Sequence, residues 1–302
     1  MKAIVIHRYG GPDVLKFEDY PDPVAGAGEV VVRVAAASIN PIDIIERSGG
    51  MKDFRPMTFP NVLGWDLAGT IASIGPQVHG FALGDKVLAW AYHTYAELCA
   101  VKAALLAKVP NGLDLVEAAA LPLVTITGNQ LISVASGVKA GQTALVSGAL
   151  GGVGRSAVFT AKERGATVIA GVRKSQLEAA KSLGADQALA IDDDDALNAI
   201  APVDVVANTV RGPTAGSLIA KVKPGGVFAS VTGAPNNAKD FPAVRVVAFV
   251  SKQDAKTLLH MAQAVSAGKL VIPIDRKLPL KDAAAGHAAV EKGVNGKVLL
   301  LP

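Results

Sequence analysis

The sequence predicts an α/β protein with a β-rich beginning and a later parallel sheet. Three observations carry that expectation. The first third is made of short apolar runs cut by Gly and Pro. The middle alternates strand-like and helix-like segments at the spacing of βαβ units. Between the first of those strands and its helix lies a glycine-rich turn, SGALGGVG, at 147–154.

In chain order, EVVVRVAAASI, LAGTIASIG and GDKVLAWA read as strands, and GAGE, GPQVHG and LGD as turns. Helical periodicity is scarce there, so a small β-rich domain over 1–117 is expected. TALVS, TVIAG, ALAI, VDVVAN and GVFASV follow as strands, interleaved with helices in GGVGRSAVFTAKERG, SQLEAAKSLGAD, DDALNAIAP and PTAGSLIAKVKPGG. Ser175 with Glu178 has the spacing of a capping box, and Gly165 and Gly184 suit helix ends. Asp192–Asp195 reads as a solvated turn before a helix. VRVVAFV predicts a last sheet strand near 250. The tail carries an amphipathic helix from Asp254 to Ala267, then strand-like VIPID and GKVLLLP.

Composition narrows the function classes. Of 302 residues, 50% are hydrophobic and 19% charged, so a sizeable core is expected. A net charge of +4 without dense Lys/Arg runs argues against nucleic acid. One cysteine, Cys99, excludes an internal disulfide and a Cys-rich zinc site. The N-terminal apolar run is too short for a signal peptide, and the long uncharged run between Glu117 and Lys139 is broken by Pro and polar residues. The expectation is a cytoplasmic protein without a membrane span.

The glycine turn fits two dinucleotide fingerprints. Ala149-x-Gly151-x-x-Gly154 is GxGxxG with alanine first, and Ser147-Gly148-x-x-x-Gly152-x-Gly154 is close to the short-chain dehydrogenase pattern. Both work by a tight turn, close backbone approach to a pyrophosphate and free N–H groups at a helix start, here including Val153. The short-chain reading fails because the motif begins far from the N-terminus and no Tyr has Lys four residues on. At the end of the next strand, where an NAD site usually has Asp or Glu, stand Gly171-Val172-Arg173-Lys174-Ser175. Two cations there favour NADP(H), with Ser175 as a further phosphate ligand. The other reading is a solvated helix entrance capped by Ser175.

An ordered set of segments (MKAIVIHRYGGPDVLKFED, GEVVVRVAAASINPIDIIERSG, VLGWDLAGTIASIG, GFALGDKV, YAEL, AALPLVTITGNQL, GGVG, LGAD, KPGG, GKVLL) covers almost the whole chain. In this order they resemble the medium-chain dehydrogenase/reductase superfamily, in its zinc-free NADPH:quinone oxidoreductase branch, similar to zeta-crystallin. The resemblance implies a GroES-like β-barrel over 1–117 and 266–302 and a doubly wound Rossmann domain over 118–265. It also implies a homodimer in which VRVVAFV pairs with its copy. Zinc-dependent relatives place Cys, Gly-His-Glu and a later Cys around the metal. This chain has Asn40 in the first place and Gly64-Trp65-Asp66 in the second, and no four-cysteine lobe. Without soft or imidazole ligands the expected metal is none.

Asn40, Pro41 and Asp43 match the family's NPxD motif. The resemblance implies that Asn40 lines the nicotinamide pocket and donates to the acceptor oxygen; an Asn-Pro turn with a capping side chain is the other reading. Asp43 is expected to hold the loop, through Arg47. Thr127 matches a family threonine near the nicotinamide ribose or substrate. Trp65 fits either core or pocket wall, with Tyr92 and His93 beside the same pocket. His93 stands where relatives often carry glycine; a surface turn is the favoured reading, and a proton donor near the site the other. Asn208, Thr209, Thr232, Gly233 and Phe249 end strands at the edge that meets a cofactor. Asn295 and Lys297 match a C-terminal family position near the cofactor. The reading is hydride transfer from NADPH to a small quinone-like acceptor. Reduction of an enal or enone C=C bond, and NADPH binding without turnover, stay open.

Overall fold

The computed structural model describes residues 1–302. The first strands are β1 (Lys2–Ile6), β2 (Lys16–Asp19) and the long β3 (Glu29–Ile39). Helix α1 (Pro41–Ser48) follows at once, then β4 (Asn61–Val62), β5 (Asp66–Ile74), β6 (Lys86–Trp90), β7 (Leu98–Lys102), β8 (Ala107–Lys108) and the short α2 (Leu115–Ala118). Pro41 starts α1, where its missing N–H costs nothing, and Gly49 ends it in the left-handed region at φ 85°.

Helix α3 (Pro122–Gln130) opens into a π turn over Leu131–Ser136. Four βα steps and two closing strands then run β9 (Thr143–Ser147), α4 (Gly152–Glu163), β10 (Thr167–Val172), α5 (Leu177–Ala180), β11 (Gln187–Ala190), α6 (Asp194–Ala199), β12 (Val203–Asn208), α7 (Pro213–Ile219), β13 (Val222–Ser230) and β14 (Arg245–Ala248). The chain closes with α8 (Ala255–Ser266), β15 (Ile274–Pro279), α9 (Ala283–Lys292) and β16 (Lys297–Leu301).

Two compact units result: Met1–Leu123 with Gln253–Gly268 and Ile272–Pro302, and Val124–Lys252 with Lys269–Val271. The tail belongs to the first unit because β16 pairs antiparallel with the end of β3, Val298 opposite Ile39. That unit holds a sheet ordered β15-β16-β3-β5-β6-β8, with β7 also on β3, and a three-stranded sheet β2-β1-β4. Val30, Val32, Leu67, Ile71, Val87 and Val101 form one of its cores, to which the apolar run EVVVRV contributes.

The second unit is one parallel sheet ordered β11-β10-β9-β12-β13-β14. Numbered from β9, this is the doubly wound order 3-2-1-4-5-6, with its switch point between β9 and β12. Along β9, Ala144 and Val146 enter one core while Leu145 enters the other, so the sheet is covered on both faces. α8 matches the expected tail helix and is capped by Asp254, whose carboxylate accepts from Lys256 and Thr257 N–H. The PTAGSLIAKVKPGG segment is helical only to Ile219; β13 begins at Val222 and runs through Pro224. No helix is long and apolar enough to cross a membrane.

Candidate active site

The glycine turn has the tight geometry that a phosphate cradle needs. Gly148 sits at φ 61°, and a Cβ there would strike the Thr209 hydroxyl. A Cβ on Gly154 would collide with the Gly148 carbonyl and come within 2.7 Å of Ala149 Cα, so α4 packs on the turn only because this position is bare. Gly151 caps α4, and the first helical bond runs from Arg155 N–H to Gly151 O. The amides of Gly152, Val153 and Gly154 therefore precede the helical ladder and are the orphan donors an anion can use. Ala149 is fully buried and its N–H donates to Gly171 O at 3.2 Å, so the methyl that departs from the strict fingerprint costs nothing.

At the neighbouring strand ends, Ser147, Asn208, Thr209, Ser230 and Thr232 bond mainly to one another. Ser147 Oγ donates to Asn208 Oδ1 at 2.8 Å and accepts from Thr209 N–H at 2.9 Å. Asn208 Nδ2 donates to Val210 O, Ser230 Oγ and Thr232 Oγ1. Ser147 and Asn208 are fully buried, so their side chains fix the strand ends and present no free polar group. Thr232 and Gly233 line a cleft of about 450 Å³ with Arg211, Gly212 and Asn237, residues the sequence did not single out. Phe249 N–H donates to Ser230 O, and its side chain packs on the sheet core.

Beyond β10 the structure corrects the expected cap. Ser175 lies inside a 3₁₀ turn (Lys174–Gln176); Gln176 Oε1 takes the Arg173 N–H, and no Ser175–Glu178 box forms. Two carboxylates also reach this place from the end of the next parallel strand. Asp192 accepts from Lys174 N–H at 2.7 Å and Asp193 from Lys174 Nζ at 2.8 Å. That bond to Asp193 raises the Lys174 pKa and engages its charge. The exposed Arg173 guanidinium has only a long 3.4 Å contact to Gln176. Thr127, nearly buried, shares a 2.8 Å hydrogen bond with Ser251.

The first unit gathers a buried polar cluster from β3, β5 and β16. Ser38 and Asp66 are cross-strand partners, and Ser38 Oγ donates to Asp66 Oδ2 at 2.7 Å. Asn40 Nδ2 donates to the same oxygen at 2.8 Å and, more weakly, to Ser38 O at 3.4 Å. Leu123 N–H donates to Asp66 Oδ1. Lys297 enters from the tail: its Nζ is 2.5 Å from Asn40 Oδ1, 3.2 Å from Ile39 O and 3.7 Å from Asp66 Oδ2. Burial raises the Asp66 pKa and lowers that of Lys297, and each charge opposes the other's shift. The Asn40 side chain thus bridges an acid and an ammonium instead of capping α1. Asn295, by contrast, is exposed and donates its N–H to Asp275.

Asp43 accepts from Asn40 N–H at 2.7 Å, half of a capping box. Its Oδ1 has no partner of hydrogen-bonding geometry. Burial pushes its pKa up to about 8, offset in part by that N–H and reinforced by Asp66 and Glu46. The expected Asp43–Arg47 link is absent: Arg47 turns to Gly10 O, His287 Nδ1 and Glu291. A guanidinium only donates, so His287 Nδ1 accepts and its Nε2–H points to Tyr95 OH at 3.3 Å. Burial, then Arg47, hold His287 down to about 3.

Trp65 and Tyr92 pack edge-to-face at 5.0 Å, and Trp65 stacks on Trp90 at 5.7 Å. Trp65 Nε1 donates to Glu46, which also pairs with Arg55. His93 is an exposed turn residue at φ 63°, with Nδ1 on Val62 O; that left-handed backbone is why glycine suits this place. Cys99 is buried, its thiol pushed up to about 12 by burial.

Comparison with known proteins identifies two families along the chain. The alcohol dehydrogenase GroES-like domain family matches residues 26–111, and the zinc-binding dehydrogenase family matches residues 183–300. A chloroplast envelope quinone oxidoreductase homolog of Arabidopsis thaliana is 30% identical over all of this chain and 98% of its own. An NADPH-dependent alkenal/one oxidoreductase of the same plant is 30% identical over all of this chain and 80% of its own. The solved quinone oxidoreductase of Coxiella burnetii superposes with a TM-score of 0.89 at 30% identity, covering 100% of this chain and 99% of that one. The chain belongs to the medium-chain dehydrogenase/reductase superfamily, as an oxidoreductase among its quinone oxidoreductase-like members.

Proposed function

We propose that the chain is an NADPH-dependent reductase of quinones or similar electron-poor carbonyl acceptors, working without zinc. The observation that carries this reading is the Asn40–Asp66–Lys297 arrangement. Asn40 and Asp66 stand where zinc-dependent relatives have ligands, yet both are satisfied by Ser38, Leu123 and the Lys297 ammonium. An amide and a carboxylate sharing a lysine do not fit a zinc ion, which takes thiolate and imidazole donors. No chemical step is therefore routed through a metal. Without a Lewis acid, the acceptor must supply its own electron demand, as a quinone does.

The cradle fits a dinucleotide: bare glycines, three orphan amides on α4, and Arg173 free for a 2′-phosphate. When bound, the reduced nicotinamide supplies a hydride to the acceptor and solvent supplies the proton, giving hydroquinone and oxidised cofactor. Asn40's long contact to Ser38 O leaves one N–H for a stronger acceptor, so its amide, fixed by Asp66 and Lys297, is suited to the developing oxyanion. A second reading, reduction of an enone or enal C=C bond at the same site, is favoured by the similarity to the alkenal/one oxidoreductase. The edge strand β14 is suited to pairing with its copy, and we place such a homodimer in the cytoplasm.

Oxidation of NADPH is to be followed with a quinone panel and an enone panel, in the presence and absence of a zinc chelator. Quinone-dependent oxidation indifferent to chelator is expected. Cofactor binding with no oxidation in either panel sinks the enzymatic reading. Arg173→Ala is expected to weaken NADPH about tenfold and leave NADH unchanged; equal effects on both would remove the 2′-phosphate role. Light scattering should give twice the 30.8 kDa chain mass.

A further inference from the structure

The two stacked indoles of the first unit are treated differently by their surroundings. Trp65 Nε1 has a carboxylate partner at 2.5 Å, whereas Trp90 Nε1 is buried with no partner, on a residue only 5% exposed. An unmade N–H bond of this kind is a cost to the folded protein that a phenylalanine would avoid. A cost carried in the resting protein is recovered when a ligand supplies the acceptor.

Pairing places this donor beside the site. Ser38, Asp66 and Trp90 are opposite one another across β3, β5 and β6. Residues directly opposite in antiparallel strands project from the same face with Cβ atoms about 5 Å apart. The Trp90 indole therefore shares a face with Asp66, which holds the Asn40 amide. Next to it, Trp65 and Tyr92 offer electron-rich ring faces, now covered by the Arg55 guanidinium at 5.0 and 4.0 Å from the two centroids. Arg55 is 37% exposed on its side chain and Trp65 only 9%, so the cation lies on the solvent side. Faces that attract a cation also attract the electron-deficient ring of a quinone.

We propose that the Trp90 indole N–H is the hydrogen-bond donor that recognises a carbonyl oxygen of a planar, electron-poor acceptor, reached when Arg55 leaves the Trp65 and Tyr92 rings. This rests on the reductase reading above and names the residue that sets its acceptor class. The test is Trp90→Phe, which keeps an aromatic ring and removes the N–H. The dissociation constant of 1,4-naphthoquinone is measured by calorimetry on protein saturated with NADP⁺, so that binding is read without turnover. Trp90→Phe is expected to weaken naphthoquinone about tenfold, to leave NADP⁺ affinity unchanged and to melt at the wild-type temperature or above. Arg55→Met is expected to bind naphthoquinone a few-fold more tightly. Equal affinity in wild type and Trp90→Phe, no binding to wild type, or a lower melting temperature for Trp90→Phe would each overturn the proposal. Wild type that binds naphthoquinone through Trp90 yet never oxidises NADPH would sink the reductase reading and leave this one standing.

Discussion

The two units solve the same problem, polar side chains closed inside the protein, with opposite chemistry. At the strand ends of the second unit the buried network is neutral: Ser147, Asn208, Thr209, Ser230 and Thr232 match donors to acceptors. The first unit buries ionisable groups instead, with Asp43, Asp66, Arg47 and Lys297 each under a tenth exposed, and leaves Asp43 Oδ1 and Trp90 Nε1 unpaired. Neutral networks are indifferent to pH and rigid. Charged ones depend on each counter-ion and on proton concentration, and they are where perturbed pKa values gather. The contrast locates strain and adaptability in the first unit's buried cluster and fixed scaffolding at the second unit's strand ends.

The sharpest way to break the comparison is to strip a counter-ion. Lys297→Met leaves Asp66 charged and unpaired, with an expected loss of about 3–5 kcal/mol by urea unfolding. Adding Asp66→Asn should return most of it; no return would mean that packing, not charge, is the role of Lys297. In the neutral network, Asn208→Ala removes three donated bonds and one accepted from Ser147, with an expected loss of about 2–3 kcal/mol that is the same at every pH between 5 and 9. A pH-dependent loss there would erase the distinction between the units.

The smallest effect concerns Asp43. Its carboxyl is lifted from 3.8 to about 8, so the folded protein holds this proton more tightly than the unfolded chain. The stabilisation is complete below about pH 4 and is lost as pH rises to about 8. His287 works at the other end. Depressed to about 3, it contributes stability above pH 6.5 that is lost as pH falls towards 3. Asp43→Asn should flatten the alkaline decline by about 5 °C in melting temperature at pH 8 and change little at pH 4. An unchanged alkaline limb would show that Asp43 does not carry the titration.

Local patterns made much of the fold legible. The apolar run EVVVRV, the strand–turn–helix at SGALGGVG and the Asp254 cap all depend on residues close in sequence. What could not be read depends on partners far away. Arg47 has helix neighbours that promise a bond to Asp43, but it reaches His287, 240 residues on. The Ser175 cap is lost because Gln176 reaches Arg173 N–H first. Asp192 and Asp193 read as a solvated turn, and Asp193 does cap α6; only the parallel register of β10 and β11 brings both to Lys174. Lys297 reads in the sequence as a residue near a cofactor or on a surface turn; its inward aim at Asn40 follows from β16 pairing with β3.

That last pairing has a consequence for biogenesis. Asn40 and Lys297 are 257 residues apart, so the ammonium that steadies the amide is made long after it. On the ribosome, β3 and β5 can pair while Asp66 has no counter-ion. The barrel strands can thus form early, but the site they carry is completed only after the final strand has left the exit tunnel.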